Sequence, residues 1–197
     1  MSTTSSVPRI APGGPREVGR ITWLLMTLVS KRTGGPIPNV MRTLGRHRGL
    51  FIPWLFYSSR LMPFGSLQGT ESELIILRVA ARTGSDYERV HHEALGAQAG
   101  LGADVIAWVA LPKDSAGPAP ANDGIDGARA ELLVRAADEL LDDRDLSEAT
   151  WTELRAQFDE RRCLEICLLT GHYAGLAATL KAARVQIEPN AGMHKLR

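Results

Sequence analysis

The stretch that decides the fold is Glu73-Leu74-Ile75-Ile76-Leu77-Arg78-Val79-Ala80-Ala81-Arg82-Thr83-Gly84-Ser85-Asp86-Tyr87-Glu88-Arg89-Val90-His91-His92. It reads as two helices joined at Gly84. Thr70-Glu71-Ser72-Glu73 has the form of a capping box, with Thr70 as N-cap and Glu73 at the third helical position. That helix runs to about Arg82, and a second runs from Ser85 to Ala99 and stops at Gly100. So short a connection predicts an antiparallel helical hairpin.

At about 100° per residue, Glu73 shares a stripe with Ile76, Leu77 and Ala80, so it is expected to face the core. Glu71 falls near Arg78 and Arg82, on the side expected to meet solvent. On the second helix Ser85, Glu88 and His92 lie at i, i+3 and i+7, and Leu95 and Ala99 continue the inward stripe. His91 points away from it. In an antiparallel hairpin His92 comes level with Glu73. A carboxylate in apolar surroundings rises in pKa unless paired, which suits general acid–base work, and histidine moves protons near pH 7. The plainer alternatives are that Glu73 only completes the cap and that His92 is a hydrogen-bonded core residue.

Outward from this hairpin the whole chain reads as helical. A first helix is expected over Glu17–Lys31, stopped by Gly34-Gly35-Pro36, then a short one from Pro38-Asn39 to near Arg48-Gly49. Leu50–Leu61 is aromatic-rich, with Pro53 in its first turn. Ala103–Leu111 is ended by Pro112, and helices follow near Gly127–Leu141, Ser147–Phe158 and Asp159–Arg184. No stretch shows a period-2 pattern, and no repeat recurs at a fixed period. The expectation is one all-α domain over residues 17–188 with a Pro/Gly/Ala-rich loop at 112–126. A loose leader covers 1–16 and a tail covers 189–197.

Composition narrows the function. Of the 197 residues, 44% are hydrophobic and 23% charged, enough for a packed core. The 23 Lys and Arg against 22 Asp and Glu leave a net charge of +1, which argues against nucleic acid as a partner. The apolar run Ile21–Val29 is far below the ~20 residues of a membrane span and lacks a cleavage site for secretion. No membrane and a cytoplasmic location are therefore expected. Cys163 and Cys167 exclude a disulfide framework and sit on a stripe with Ile166, Thr170 and Ala174, the setting of inert core thiols. Glu88-Arg89-Val90-His91 has a Glu-x-x-His spacing, but no second copy exists and His91 diverges from Glu88, so no metal is expected. Trp54, Phe56, Tyr57 and Trp108 either line a pocket or pack the core.

The core hairpin resembles that of the carboxymuconolactone decarboxylase family, within the alkylhydroperoxidase D-like superfamily. Pro38–His47 is similar to its N-terminal signature. Glu73–Ala80, Thr83–Glu88 and His92 resemble its core motif, and Ala136–Leu140 and Gly171-His172-Tyr173 also fit. The likeness covers about residues 36–188 and implies an alkylhydroperoxidase D-like helical bundle. In the peroxidase branch a glutamate, a Cys-x-x-Cys pair and a histidine four residues on form the motif. These map to Glu73, to Ser85 and Glu88, and to His92. A serine and a glutamate can neither attack a peroxide as a thiolate nor resolve a sulfenate, so thiol peroxidase chemistry is disfavoured.

The branch without the redox pair implies cofactor-free acid–base chemistry, such as decarboxylation, isomerisation or a lyase reaction, on a small organic acid or lactone. Glu73, Glu88 and His92 are the candidate catalytic residues: His92 as acid or base, Glu73 orienting it, Glu88 shaping or protonating substrate. Ser85, Tyr57 and Trp54 are the candidate substrate contacts. No cationic clamp is evident; Arg46, Arg60 and Arg89 qualify by residue type alone. Other readings are an antioxidant protein with a degenerate redox motif and a non-catalytic oligomer that binds small hydrophobic molecules. The resemblance also implies a homo-oligomer: a dimer, trimer or hexamer.

Overall fold

The computed structural model describes residues 7–33, 35–113, 117–120, 123–189 and 191. Among them ten helices form and no β-strand does. They are α1 (Pro15–Val18), α2 (Arg20–Thr33), α3 (Asn39–Leu44), α4 (Arg48–Leu61), α5 (Gly69–Thr83), α6 (Asp86–Ala99), α7 (Ala103–Val109), α8 (Gly127–Asp142), α9 (Glu148–Gln157) and α10 (Glu160–Ala183).

The central element is α5. Every residue from Thr70 to Ala80 is buried. Around it pack α6, α7, α8 and α10. Leu74, Ile75, Ile76 and Val79 join Leu132, Leu133, Leu154, Ile166 and Leu169 in one continuous core. Side-chain caps start the outer helices where the sequence offers them. Asp126 accepts from the Arg129 N–H, Ser147 from Thr150, and Asp159 from Arg162. The expected stops are also where they should be. Gly84 (φ 63°) and Gly100 (φ 111°) end α5 and α6 in the left-handed region, which costs glycine little.

Three expectations need correcting. The first helix is broken at Gly19 (φ 92°) into α1 and α2. The cap of α5 is two residues earlier than expected: Gln68 is the N-cap, and its N–H donates to Glu71 Oε2 at 2.8 Å. Thr70 is therefore inside the helix, and Glu73 is released from capping. Glu71, expected in solvent, is buried and takes an ion pair from Arg129 Nη1 at 2.9 Å. Arg78 is buried too. Its Nε and Nη2 bind the two oxygens of Asp138 at 2.7 and 2.6 Å, and its Nη1 donates to the Val109 and Leu111 carbonyls. The amphipathic reading failed here because α5 has no solvent side. Its polar residues are satisfied internally, as burial demands.

Of the leader expected at 1–16, residues 1–6 lie outside the described residues. Arg9 and Ile10 donate their N–H groups to the Ala183 carbonyl, and the Gly13 N–H donates to Arg42. In the expected loop, the described residues 112–113, 117–120 and 123–126 are non-helical up to the start of α8, apart from a single 3-10 residue at 113. Most of the tail at 189–197 lies outside the described residues. Helix α10 is long and apolar enough to cross a membrane by length and composition, yet its Ile166, Leu169, Tyr173 and Leu180 pack into the protein.

Candidate active site

The α5–α6 hairpin brings Glu73 and His92 together as the spacing predicts. Glu73 Oε2 lies 2.7 Å from His92 Nδ1, and both side chains are buried. A carboxylate can only accept here, so Nδ1 carries the proton and donates it. That fixes the tautomer and leaves the lone pair on Nε2, which has no hydrogen-bond partner among the described residues.

Glu88 and Ser85 complete the inward stripe. Both are buried, at 2% exposure each. Neither oxygen of Glu88, nor Ser85 Oγ, has a hydrogen-bond partner among the described residues. Burial pushes the Glu88 carboxyl up to about 7, against the opposing influence of the nearby Ser85 hydroxyl. Further along, the stripe turns outward: Leu95 is half-buried and Ala99, expected inside, is exposed. Helix α6 ends beyond the edge of the core there.

Tyr173 on α10 roofs the three acidic and basic groups. Its ring meets that of His92 edge-on, with centroids 5.1 Å apart at 87°. Burial first, then the charges of Glu73 and Glu88, push its phenol pKa upward, so it stays protonated. Next along α10, His172 joins a wall of aromatic rings with Trp54 and Tyr57 of α4. Trp54 and Tyr57 therefore meet His172, which in turn meets Tyr173. Phe56 points outward, exposed, and Trp108 is in the core, its Nε1 donating to Gly117. His172 and Tyr173 were visible in the sequence only as part of Gly171-His172-Tyr173, three and four residues beyond Leu169 on α10.

His91 does diverge from this centre, and it serves a second cluster. Its Nδ1 lies 2.7 Å from the Tyr87 carbonyl and its Nε2 lies 2.9 Å from Glu188 Oε2. Both partners only accept, so the ring carries two protons. Burial opposes that charge, but the bonds to Glu188 and Tyr87 outweigh it and raise the pKa. Burial likewise works against the Glu188 carboxylate. Bonds from His91, the Asn39 N–H, its own backbone and Tyr87 nevertheless hold it down at about 2. The cluster ties the C-terminal segment to α3 and α6.

The remaining candidates lie elsewhere. Cys163 is buried, with its thiol against the Phe158 carbonyl at 3.8 Å. Cys167 lines a different cleft, beside Leu140, Thr170 and Ala174, and burial and then Cys163 push its thiol up. Of the cationic candidates, Arg46 reaches the Ala11 carbonyl and Arg89 pairs with Asp86 and Glu93 on the surface. Among the described residues no group of three His, Cys, Asp or Glu side chains is placed to hold a metal.

No family profile and no curated protein matches the sequence. Solved structures do match. One is the alkylhydroperoxidase AhpD core of an uncharacterized peroxidase-related protein from Ralstonia eutropha JMP134. It superposes with a TM-score of 0.80 at 18% identity, over 96% of this chain and 97% of that one. An uncharacterized peroxidase-related protein from Silicibacter sp. TM1040 gives 0.79 at 18% identity, over 97% and 98%. The debrominase Bmp8, solved as a variant in complex with 2,3,4-tribromopyrrole, gives 0.68 at 15%, over 98% and 96%. The chain thus has the alkylhydroperoxidase D-like fold, as a single all-α domain.

Proposed function

We propose that this chain uses the alkylhydroperoxidase D-like fold for cofactor-independent acid–base catalysis on a small organic acid or lactone. The observation that carries the reading is the buried set of unpartnered groups, Ser85 Oγ and both oxygens of Glu88, beside the Glu73–His92 pair. Buried polar atoms without partners are costly, and a bound molecule would supply the missing bonds.

The roles follow from the proton positions. His92 Nε2 takes a proton from a carbon next to a carbonyl. The C–H electron pair moves onto the carbonyl oxygen, where Ser85 donates a hydrogen bond to the enolate. Glu88 in its acid form delivers a proton to the second position, and the two residues reset by proton exchange. Glu73 holds the imidazole and stabilises the charge it acquires. Decarboxylation and elimination use the same groups on a different leaving bond. Thiol redox chemistry, which the names of the peroxidase-related neighbours bring to mind, finds no sulfur here: the motif positions hold Ser85 and Glu88.

A thermal-shift screen of organic acids and lactones, followed by proton NMR of each hit in D2O, tests this. Deuterium uptake or turnover is expected, and His92→Gln is expected to cut it by about 10²–10⁴-fold. Turnover indifferent to both His92→Gln and Glu88→Gln overturns the reading. We further propose a homo-oligomer, supported by the exposed Ile21, Leu24, Leu25 and Leu28 on α2. Mass photometry showing only monomer overturns that part.

A further inference from the structure

The charges of this chain are sorted along it. Residues 1–70 hold nine Lys and Arg and a single acid, Glu17, a net of +8. Residues 71–197 hold 14 Lys and Arg and 21 Asp and Glu, a net of −7. In space the first part is a basic arm, α1–α4, and the second is the bundle around α5. Among the described residues no Lys or Arg of the arm makes an ion pair. Arg9, Arg42, Arg46 and Arg48 bind backbone carbonyls instead. The Glu17 carboxylate accepts from the Gly14 N–H. The arm thus carries its charge uncompensated, and self-repulsion makes that costly.

Helix α2 presents the apolar part of this arm. Ile21, Leu24, Leu25 and Leu28 are exposed at i, i+3, i+4 and i+7, one stripe with exposed Arg20 and Lys31 at its ends. At the Arg20 end lies a cleft of about 900 Å³ lined by Pro15, Arg16, Arg20, Ile21 and Arg48 among others, and by no carboxylate. The matching surface is the corner between α8 and α9. Asp143, Asp145 and Glu148 are exposed there, and none of them makes an ion pair among the described residues. Arg144, the cation between them, donates to the Leu140 and Leu141 carbonyls. Trp151 follows Glu148 by three residues on the same helical face and is 38% exposed.

We infer that α2 and its arginine cleft dock head-to-tail on the α8–α9 corner of a second copy of this chain, with Trp151 entering the cleft and the corner carboxylates meeting its guanidinium groups. This docking rests on the homo-oligomer proposed above and says how the copies meet. Charge selects the occupant. The chain supplies both halves of a complementary pair, and their charges nearly cancel in the net of +1. Pairing α2 with α2 would instead set cations against their own copies, with Glu17 the single acid of each arm. An indole between guanidinium groups gains cation–π contact, and Trp and Arg are the side chains that most often anchor an interface.

Sedimentation velocity over a concentration series tests this on the intact chain, with Arg20→Glu on the arm and Glu148→Lys on the corner. Each is expected to weaken association about ten-fold, and Trp151→Ala by a similar factor. Mixed one to one, the two charge variants are expected to associate again, because every interface then joins unlike charges; a misfolded variant would not be rescued this way. An assembly that all three variants leave intact rejects this docking and keeps the homo-oligomer. An assembly broken by Arg20→Glu but indifferent to Glu148→Lys and Trp151→Ala also rejects it, in favour of arm against arm. Wild type that is monomeric throughout rejects docking and oligomer together. If that monomer co-sediments with phosphatidylglycerol vesicles and not with phosphatidylcholine ones, the face belongs to an anionic membrane surface and the docking is likewise overturned.

Discussion

Glu71 and Glu73 stand two residues apart on one helix, and their carboxylates do unrelated work. Glu71 closes the first turn of α5 and pairs with Arg129. Glu73, on another face, crosses to α6 and orients His92. Removing either charge should therefore have different consequences. Glu71→Gln is expected to lower stability by about 1–3 kcal/mol, through a lost cap and a weakened buried pair. Glu73→Gln is expected to spare the fold and cut turnover of any confirmed substrate by about 10²-fold or more. Urea denaturation and steady-state kinetics on the two variants separate the roles.

Glu88 should print a slope on the pH dependence of stability. Its carboxyl sits at about 7 in the folded chain against an ordinary 4.5. The folded state then binds more protons than the unfolded one between these values. Stability from this group falls as pH rises from about 4.5 to 7 and levels off above. Glu188, held at about 2, acts oppositely and only on the acid side of 4.5. Urea midpoints at pH 5 and pH 8 should differ for wild type in this sense. In Glu88→Gln the decline should shrink to the part that His91 supplies, with the variant the more stable protein at pH 8.

The Arg78–Asp138 pair predicts a strong single-variant effect and a weaker double. Both side chains are nearly sealed from water, at 1% and 5% exposure. Asp138→Asn leaves the buried Arg78 charge uncompensated and is expected to cost about 3–5 kcal/mol, whereas Arg78→Met leaves Asp138 paired with Arg82 at 2.5 Å and is expected to cost less. Arg78→Met with Asp138→Leu is expected to recover a large part of that. Equilibrium unfolding of the three variants measures the difference.

His91 should titrate above an ordinary histidine, and Glu188→Gln should bring it down. The raised pKa comes from bonds to Glu188 and the Tyr87 carbonyl. The stability it contributes is present below about 6.5 and fades as pH passes through the folded pKa. Histidine NMR titration of wild type and Glu188→Gln reads the shift directly. No shift would mean that the C-terminal segment is not held by this ion pair in solution.

Cys163→Ser and Cys167→Ser should leave any confirmed turnover within about two-fold, since neither sulfur is at the acid–base centre, Cys163 is buried, and burial pushes the Cys167 thiol up and suppresses its reactivity. Peroxide consumption that disappears in either variant would reverse this assignment.

Much of this was legible beforehand because it depended on local periodicity. The hairpin at Gly84, the meeting of Glu73 with His92, and the inward stripe of Ser85 and Glu88 all follow from helical phase. What escaped depended on distant neighbours. The burial of Glu71 and Arg78 requires Arg129 and Asp138 from α8, about 60 residues on, and phase on α5 alone cannot supply them. The wall formed by His172 with Trp54 and Tyr57 joins α10 to α4 across 114 residues between Ser58 and His172. Composition placed those aromatics somewhere apolar, but only the fold says around which ring.

The eleven-residue sealed run of α5 has a bearing on how the protein would come apart. Its amides should be among the last to exchange, and the orienting carboxylate travels with them. Helix α4 instead leaves Leu50, Phe56 and Tyr57 on its outer side. Gentle heating would thus loosen α4 before it disturbs the Glu73–His92 pair. An enzyme built this way would grow promiscuous first and inert only afterwards.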